Sequence, residues 1–488
     1  MSAQVLTPLR IERLALERGM RTAPYVSGRG PDGHPRRTDV PTVIAGVAGA
    51  LAAHVRPGDL VVADRLRTGD DEVALPSASL LAGALRRAGL TVHVGTIDST
   101  DRVVTGPHRM SLAARGGLAV DTESGYLATQ LDPEQLAVVR AVVDTADDPL
   151  VHPGTLRRGV AALRSLRRAA PMLQEWLDAC DRRTILRAEP QSFCAGVERA
   201  IEIVERALAI HGSPVYVRRQ IVHNTHVVAD LERHGAVFVQ ELDEVPEEAT
   251  AVLAAHGVAP SVRAQAAERR LNVIDATCPL VAKVHSEVHR FTNAGRTVFL
   301  IGHAEHEEVV GTRGEAPDNV VVIETIDDAH TVEVPDPTHV SYVMQTTLSV
   351  EEADEIAGVL RTRFPALQAP RRDDICYATS NRQQAIREVA AASDLVLVVG
   401  SANSSNSMRL VEVAEANGAE AHLVEDASDI HLQWLRGAHT IGVSAGASAP
   451  AALVEELIAA LAALGELDVT RRGGVTETMH FSLPREVV

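Results

Sequence analysis

Lysine is almost missing from this sequence. Lys283 is the one lysine among 47 basic residues, so arginine carries nearly all the positive charge. Against these stand 65 acidic residues, for a net charge of −18. That balance excludes a general nucleic-acid binder but leaves room for a local pocket that takes a small anion. Cysteine is scarce as well. Four cysteines in 488 residues do not make a disulfide scaffold. No apolar run is long enough to span a bilayer, and no charged-then-apolar signal pattern opens the chain, so a cytoplasmic protein without a membrane partner is expected. Neither a dinucleotide fingerprint nor a P-loop occurs.

What is there is long and globular in composition. Hydrophobic residues make up 45% of 488, too many residues for one ordinary domain, so two or more are expected. Three cysteines share a context. Cys194 lies in Phe193-Cys194-Ala195-Gly196-Val197, ahead of a helical run. Cys278 lies in Ala276-Thr277-Cys278-Pro279-Leu280, after the strand-like 271–274. Cys376 lies in Asp374-Ile375-Cys376-Tyr377-Ala378-Thr379, ahead of another helical run. A helix N-terminus favours a thiolate. Cys180 falls in the helical 172–178 stretch and reads as a buried small hydrophobe.

Residues 1–150 alternate strand-like and helix-like segments, which implies an α/β layer with ligands at strand ends. Residues 151–183 are arginine-rich and amphipathic and read as a helical connector. From Thr184 the alternation strengthens, and polar clusters follow apolar strands: His223-Asn224, His256-Gly257, His303 to Glu308, Gln345-Thr346-Thr347, Asn403 to Ser407, and Ser444 to Pro450. Serine and asparagine side chains, with N–H groups of helices beginning near Ser407 and Pro450, can cradle phosphate oxygens. Ser448 is placed to cap the second of these helices. One pocket holding a small phosphorylated ligand beside three thiolates is the expectation. Three thiolates suit either a zinc site completed by a histidine or an iron–sulfur cluster with one iron lacking a protein ligand. Spacing does not choose, but the phosphate-binding inventory favours a catalytic over a structural site.

Two resemblances add to this. The segments 43–50, 58–63, 117–124 and 138–147 together resemble the purine nucleosidase/phosphorylase superfamily, nearest its hopanoid-associated branch. The resemblance implies a ribose-binding role for Glu123, protonation of a leaving purine by Asp144, and a place near the attacking water for Glu12. Thr122 stands where the family has methionine, and the domain is short.

The second is closer. Phe193-Cys194-Ala195-Gly196-Val197, Val222-His223-Asn224, Ala255-His256-Gly257-Val258, Asp275 to Leu280, Gln345-Thr346-Thr347-Leu348-Ser349, Asp374 to Thr379, Asn403 to Ser407 and Ala445 to Pro450 resemble, in order, the motifs of the LytB/IspH family of 4-hydroxy-3-methylbut-2-enyl diphosphate reductases. The resemblance runs over about 184–486. It implies three α/β lobes, about 184–277, 278–375 and 376–488, in pseudo-threefold arrangement around a [4Fe-4S] cluster on Cys194, Cys278 and Cys376. It implies reduction of an allylic diphosphate to isopentenyl and dimethylallyl diphosphates, with electrons from a ferredoxin or flavodoxin type of donor. Glu308 is implied as the proton-delivering acid, supported by Thr346 and His306. The implied substrate shell is His223, Asn224, His256, His306, Thr346, Thr347, Ser404, Ser405, Asn406 and Ser448. Three motifs depart. Pro190-Gln191-Ser192 replaces Pro-Arg-Gly, His306-Glu307-Glu308 replaces His-Pro-Glu, and Val309-Val310-Gly311-Thr312 replaces Val-Glu-Gly-Thr. Glu307 is expected either to raise Glu308 by like-charge repulsion or to face solvent. The competing reading is a non-catalytic diphosphate-binding or regulatory protein that keeps the pocket.

Overall fold

The structure, a computed structural model, describes residues 3–147 and 153–488. The expected boundary at 150/151 lies outside the described residues. Backbone proximity divides the chain into two compact units. The first comprises Met1–Ile185, Val424–Ile441 and Ala452–Thr470; the second comprises Leu186–Leu423, Gly442–Ala451 and Arg471–Val488. Both are α/β, and no helix of the described residues is long and apolar enough to cross a membrane.

In the first unit the strand Leu136–Asp144 is the pivot. All nine of its residues are buried, as a strand covered on both faces requires. It pairs parallel with Thr42–Ala50 and antiparallel with Leu60–Thr68. Because Thr42–Ala50 also pairs with Ala119–Asp121, which pairs with Val92–Ser99, which pairs with Leu60–Thr68, five strands close into a ring. Its core includes Leu6, Ile44, Val61, Leu66, Ile97, Val138 and Val142. The arginine-rich stretch forms one helix, Thr155–Ala179, whose buried face is Ala162, Leu166, Ala169, Leu173, Trp176 and Leu177. Its arginines fall on the other face, as amphipathic periodicity dictates. Cys180 ends this helix rather than lying within it. Its buried thiol donates to the Trp176 carbonyl at 3.3 Å, and burial pushes it up.

The second unit repeats one theme. A parallel sheet runs in the order Ala236–Val239, Val215–Arg218, Thr250–Leu253, Asn272–Asp275. Another runs Val320–Ile323, Thr297–Ile301, Val340–Met344. Leu395–Val399, with all five residues buried, is a further strand of this unit. These strands are short, apolar and β-branched, as in buried parallel sheets. Each of the three cysteines is the N-cap of a helix: Cys194 of Ala195–His211, Cys278 of Pro279–Asn293, and Cys376 of Tyr377–Ala390.

Candidate active site

The three N-capping cysteines line one cavity in the second unit. Gly196 shows how close two of them come. A Cβ there would lie 2.8 Å from the Cys278 sulfur and 3.8 Å from that of Cys194. Burial pushes the Cys278 thiol up to about 12 and Cys376 to about 11, and the neighbouring thiols push the same way. Cys376 has local support. The Thr379 N–H donates to its sulfur at 3.4 Å, and the Thr379 hydroxyl lies 3.1 Å away.

The loop entering Cys194 is held by Arg382, which is fully buried. Its guanidinium donates to the Ser192 carbonyl at 2.7 Å, the Phe193 carbonyl at 3.3 Å and Glu477 at 3.0 Å. Ser192 has a φ of 65°, in the left-handed region that suits glycine. The serine that replaces a motif glycine therefore keeps the glycine conformation, held by Arg382.

Glu308 sits in the first turn of the helix Glu307–Gly314, with its carboxyl against Thr346. The Thr346 N–H donates to Oε1 at 2.7 Å and its hydroxyl to Oε2 at 2.8 Å. His306 caps the helix, Nδ1 accepting from the Glu308 N–H at 3.2 Å. Burial raises Glu308 to about 7, against the pull of the Thr346 bonds. Asp374 is the like charge that adds to this shift. Glu307 neither supplies that repulsion nor faces open solvent. It lies against His256 and Arg219 at 3.6 and 3.7 Å, because the N-terminal turn directs adjacent side chains to different sides.

The hydroxyl and amide groups form a linked wall. Ser404 caps the helix Ser405–Ala416 and accepts from the Ser407 hydroxyl at 3.0 Å. The Thr347 hydroxyl donates to Ser405 at 3.0 Å. Asn406 accepts from the Ala447 N–H at 2.8 Å. The Ser448 hydroxyl donates to the His223 carbonyl at 2.9 Å. The His223 and His256 rings stack at 4.0 Å, and His306 meets both edge-on. Burial lowers His223 to about 2 and His306 to about 3, with neighbouring imidazoles adding to it. Asn224 stands apart from this wall. Its side chain is buried and caps the helix Thr225–Arg233, accepting from the Val227 N–H at 3.1 Å, while every other expected shell residue lines the cavity. Thr379, Tyr377 and Phe481 also line it without having been singled out in the sequence. Thr379 was within reach, three residues after a cysteine at a helix start; Phe481, in an aperiodic tail, carried no signal.

The LytB protein family model matches residues 185–462. The chain belongs to that family. The 4-hydroxy-3-methylbut-2-enyl diphosphate reductase of Acidothermus cellulolyticus is 56% identical over 307 residues, 63% of this chain and 90% of the relative. That of Mycolicibacterium paratuberculosis is 56% identical over 63% of this chain and 92% of the relative. The solved E-1-hydroxy-2-methyl-but-2-enyl-4-diphosphate reductase of Plasmodium falciparum aligns at 34% identity with a TM-score of 0.60, over 63% of this chain and 97% of its own. A solved S-adenosylhomocysteine nucleosidase of Streptococcus pyogenes aligns over 36% of this chain and 96% of its own, at 18% identity and a TM-score of 0.29. At that level of likeness the chemistry of the first unit rests on its own geometry.

That geometry is a second cavity, which Glu12, Glu123 and Asp144 line together. Both Glu12 oxygens accept backbone N–H groups, from Leu9 at 2.7 Å and Val47 at 2.8 Å. Burial raises Glu12 to about 7, and Arg140 pulls the other way. Arg140 is fully buried, 2.7 Å from Asp121 and 3.5 Å from Glu123. Glu123 accepts from the Thr122 hydroxyl. Asp144 is already engaged. Arg109 donates to its carboxylate at 2.5 Å and to its carbonyl at 3.1 Å, and also to the Ala50 carbonyl at 3.0 Å. A Cβ on Gly49 would lie 2.8 Å from Arg109 and 2.9 Å from Asp144, so only glycine leaves room for the pair.

Proposed function

We propose that the second unit is a 4-hydroxy-3-methylbut-2-enyl diphosphate reductase, residues 184–488 forming its functional domain. The observation that carries this is one cavity holding three helix-capping thiols and a buried carboxyl pushed up to about 7. The thiols fit a [4Fe-4S] cluster better than a single ion. A tetrahedral zinc site brings sulfurs within about 3.8 Å of one another, given Zn–S near 2.3 Å. Among the described residues, the only trio of ligand-type atoms all within 4.8 Å is His223, His256 and Glu307, so the three sulfurs spread wider. Thiols pushed up as Cys278 and Cys376 are stay protonated unless positive charge replaces their protons, as an iron–sulfur group does. Cys194, Cys278 and Cys376 would hold it. When bound, it supplies the Lewis acidity and electrons that breaking an allylic C–O bond requires.

The chain's own residues do the rest. Ser404, Ser405, Asn406, Ser448 and the N-terminus of Ser405–Ala416 hold the diphosphate, since free N–H groups and hydroxyls there favour an anion. His223, His256, His306 and Thr347 complete that shell. Val197, Val222, Leu280, Val281 and Phe481 keep water out. Glu308 delivers the proton that turns the leaving hydroxyl into water. An acid near 7 both keeps its proton at neutrality and gives it up readily. Thr346 holds that carboxyl in place. The electron donor is of ferredoxin or flavodoxin type, and the setting is the cytoplasm.

Residues 1–150 form a nucleosidase-like domain that binds a purine nucleoside, with ribose on Glu123 and water near Glu12, and 151–183 connect it. The convergence of three acids on one cavity supports this. Asp144 could protonate a leaving base only after displacing Arg109, so binding without cleavage is the expected behaviour.

The test is anaerobic absorption with iron and sulfide analysis. The parent protein and Cys180→Ala should carry iron and sulfide and form both diphosphate products. Cys194→Ala, Cys278→Ala and Cys376→Ala should not. A zinc-only protein, or cluster loss in Cys180→Ala alone, contradicts the reading.

A further inference from the structure

A diphosphate brings several negative charges, yet among the described residues no lysine or arginine lines the cavity that holds the three cysteines; Arg219 and Arg409 line an adjoining one that shares His223, His306 and Ser405. Among the described residues lining it, the side chains able to carry positive charge are His223, His256 and His306. Burial works against charge on His223 and His306. His256 is placed differently. Its Nδ1 is shut away from solvent with no hydrogen-bond partner, and it faces Glu307 Oε2 at 3.6 Å. Glu307 Oε1 lies 3.7 Å from Arg219, which also donates to Glu241 at 3.0 Å. Burial opposes charge on Glu307, but His256, Arg219 and Arg218 outweigh it and keep Glu307 a carboxylate.

The other groups facing His256 do not compete for this role. His223 covers one ring face at 4.0 Å, and His306 is edge-on at 5.8 Å. Glu308 has both oxygens taken by Thr346. The His223 and His256 rings stack at an interplanar angle of 18°, and one ligand-type atom of each lies within 4.8 Å of the Glu307 carboxylate.

We propose that Glu307 is a positioning residue for the diphosphate: as a carboxylate it accepts a hydrogen bond from His256 Nδ1–H, the ring takes its second proton from solvent at Nε2, and the resulting imidazolium presents Nε2–H to the cavity as the cation of its lining. The departure from the family motif, a carboxylate in place of proline, is thus put to use. The identity of the anion rests on the reductase reading; the charge arrangement does not. An ion-pair distance of 3.6 Å needs only a small closure to become a charge-assisted hydrogen bond.

The probe is inorganic pyrophosphate, titrated calorimetrically into the anaerobically reconstituted full chain from neutral to mildly alkaline pH. Glu307→Gln should weaken binding about tenfold near neutrality, ~1.4 kcal/mol. It should also move the loss of binding to lower pH, because a carboxylate partner raises the pH at which an imidazolium gives up its proton. Glu307→Asp should retain most of the affinity. An unchanged constant and unchanged pH limit in Glu307→Gln would overturn the proposal. Should that variant not fold, Arg219→Gln reads the same link from the other side. Freed from its competing guanidinium, Glu307 should push the pH limit upward, and an unmoved limit overturns the assignment. These readouts need no turnover. Glu307-dependent binding without products would sink the reductase reading alone, and products with Glu307-independent binding would sink this one alone.

Discussion

Both units bury a glutamate pushed up to about 7, Glu12 in the first and Glu308 in the second. What surrounds them differs. The first cavity is lined by Arg29 and Arg109, with Arg140 buried close by, and Arg109 clamps Asp144. The second cavity has imidazoles, hydroxyls and thiols and no permanent cation in its lining. A buried acid is therefore not enough to make a proton donor. Glu308 has a hydroxyl and an amide to hold it and a cavity in front of it. Asp144 has a guanidinium in front of it, and Glu12 has both oxygens occupied by backbone.

The sharpest way to break this contrast is Glu308→Gln. An amide of the same shape cannot give up a proton usefully, so kcat should fall on the order of a hundred- to ten-thousand-fold with the cluster spectrum unchanged. Glu307→Gln should act mainly on KM. Equal, severe losses of kcat in both would show that the proton donor is misassigned. In the first unit the matching substitution should strike stability. Asp144→Asn strands Arg109, whose side chain is 8% exposed, and breaking a buried pair costs about 3–5 kcal/mol. Urea unfolding followed by a probe in the first unit reads this. An unchanged midpoint, with adenine released from adenosyl compounds by the parent, would show that the clamp opens.

A pH series sharpens the likeness. Glu12 and Glu308 are raised from 4.5 to about 7, so between those values the folded chain keeps protons that the unfolded chain has released. Their contribution is complete below 4.5 and is lost as pH rises through about 7, roughly 3 kcal/mol per group. Stability that instead rises over this window contradicts both shifts. Reduction should decline above about pH 7 as Glu308 ionises, whereas nothing in the first unit predicts a release reaction to follow. The smallest effect is at Ser192. Its φ of 65° and partnerless hydroxyl imply that Ser192→Gly stabilises by about 1–2 kcal/mol. A lowered melting temperature would show that the serine is held by something other than the Arg382 network.

Much of the second unit was legible because its chemistry sits where strands end. Cys278, Glu308 and the serine–asparagine loop follow apolar runs, and a parallel sheet must deliver such positions to one edge, while Cys194 and Cys376 each stand directly ahead of a helical run. Asn224 read as a ligand because asparagine after a strand serves equally as a helix cap, and capping is what it does. Ser448 read as a cap, and the sequence carried no sign of its bond to the His223 carbonyl. Arg382 and Glu477, 95 residues apart, gave no local signal; pairing at that range follows from packing alone. The same holds in the first unit for Arg109 and for the ring closure through Leu136–Asp144, since a strand's sequence does not say how many neighbours it pairs with.

The account stands or falls on product formation in the second cavity. The full chain, reconstituted anaerobically so that iron and sulfide are in place, is incubated with 4-hydroxy-3-methylbut-2-enyl diphosphate and a reduced small-molecule electron donor. The account predicts isopentenyl and dimethylallyl diphosphates from the parent and almost none from Glu308→Gln. No product from a fully loaded parent, or equal product from both proteins, would contradict it.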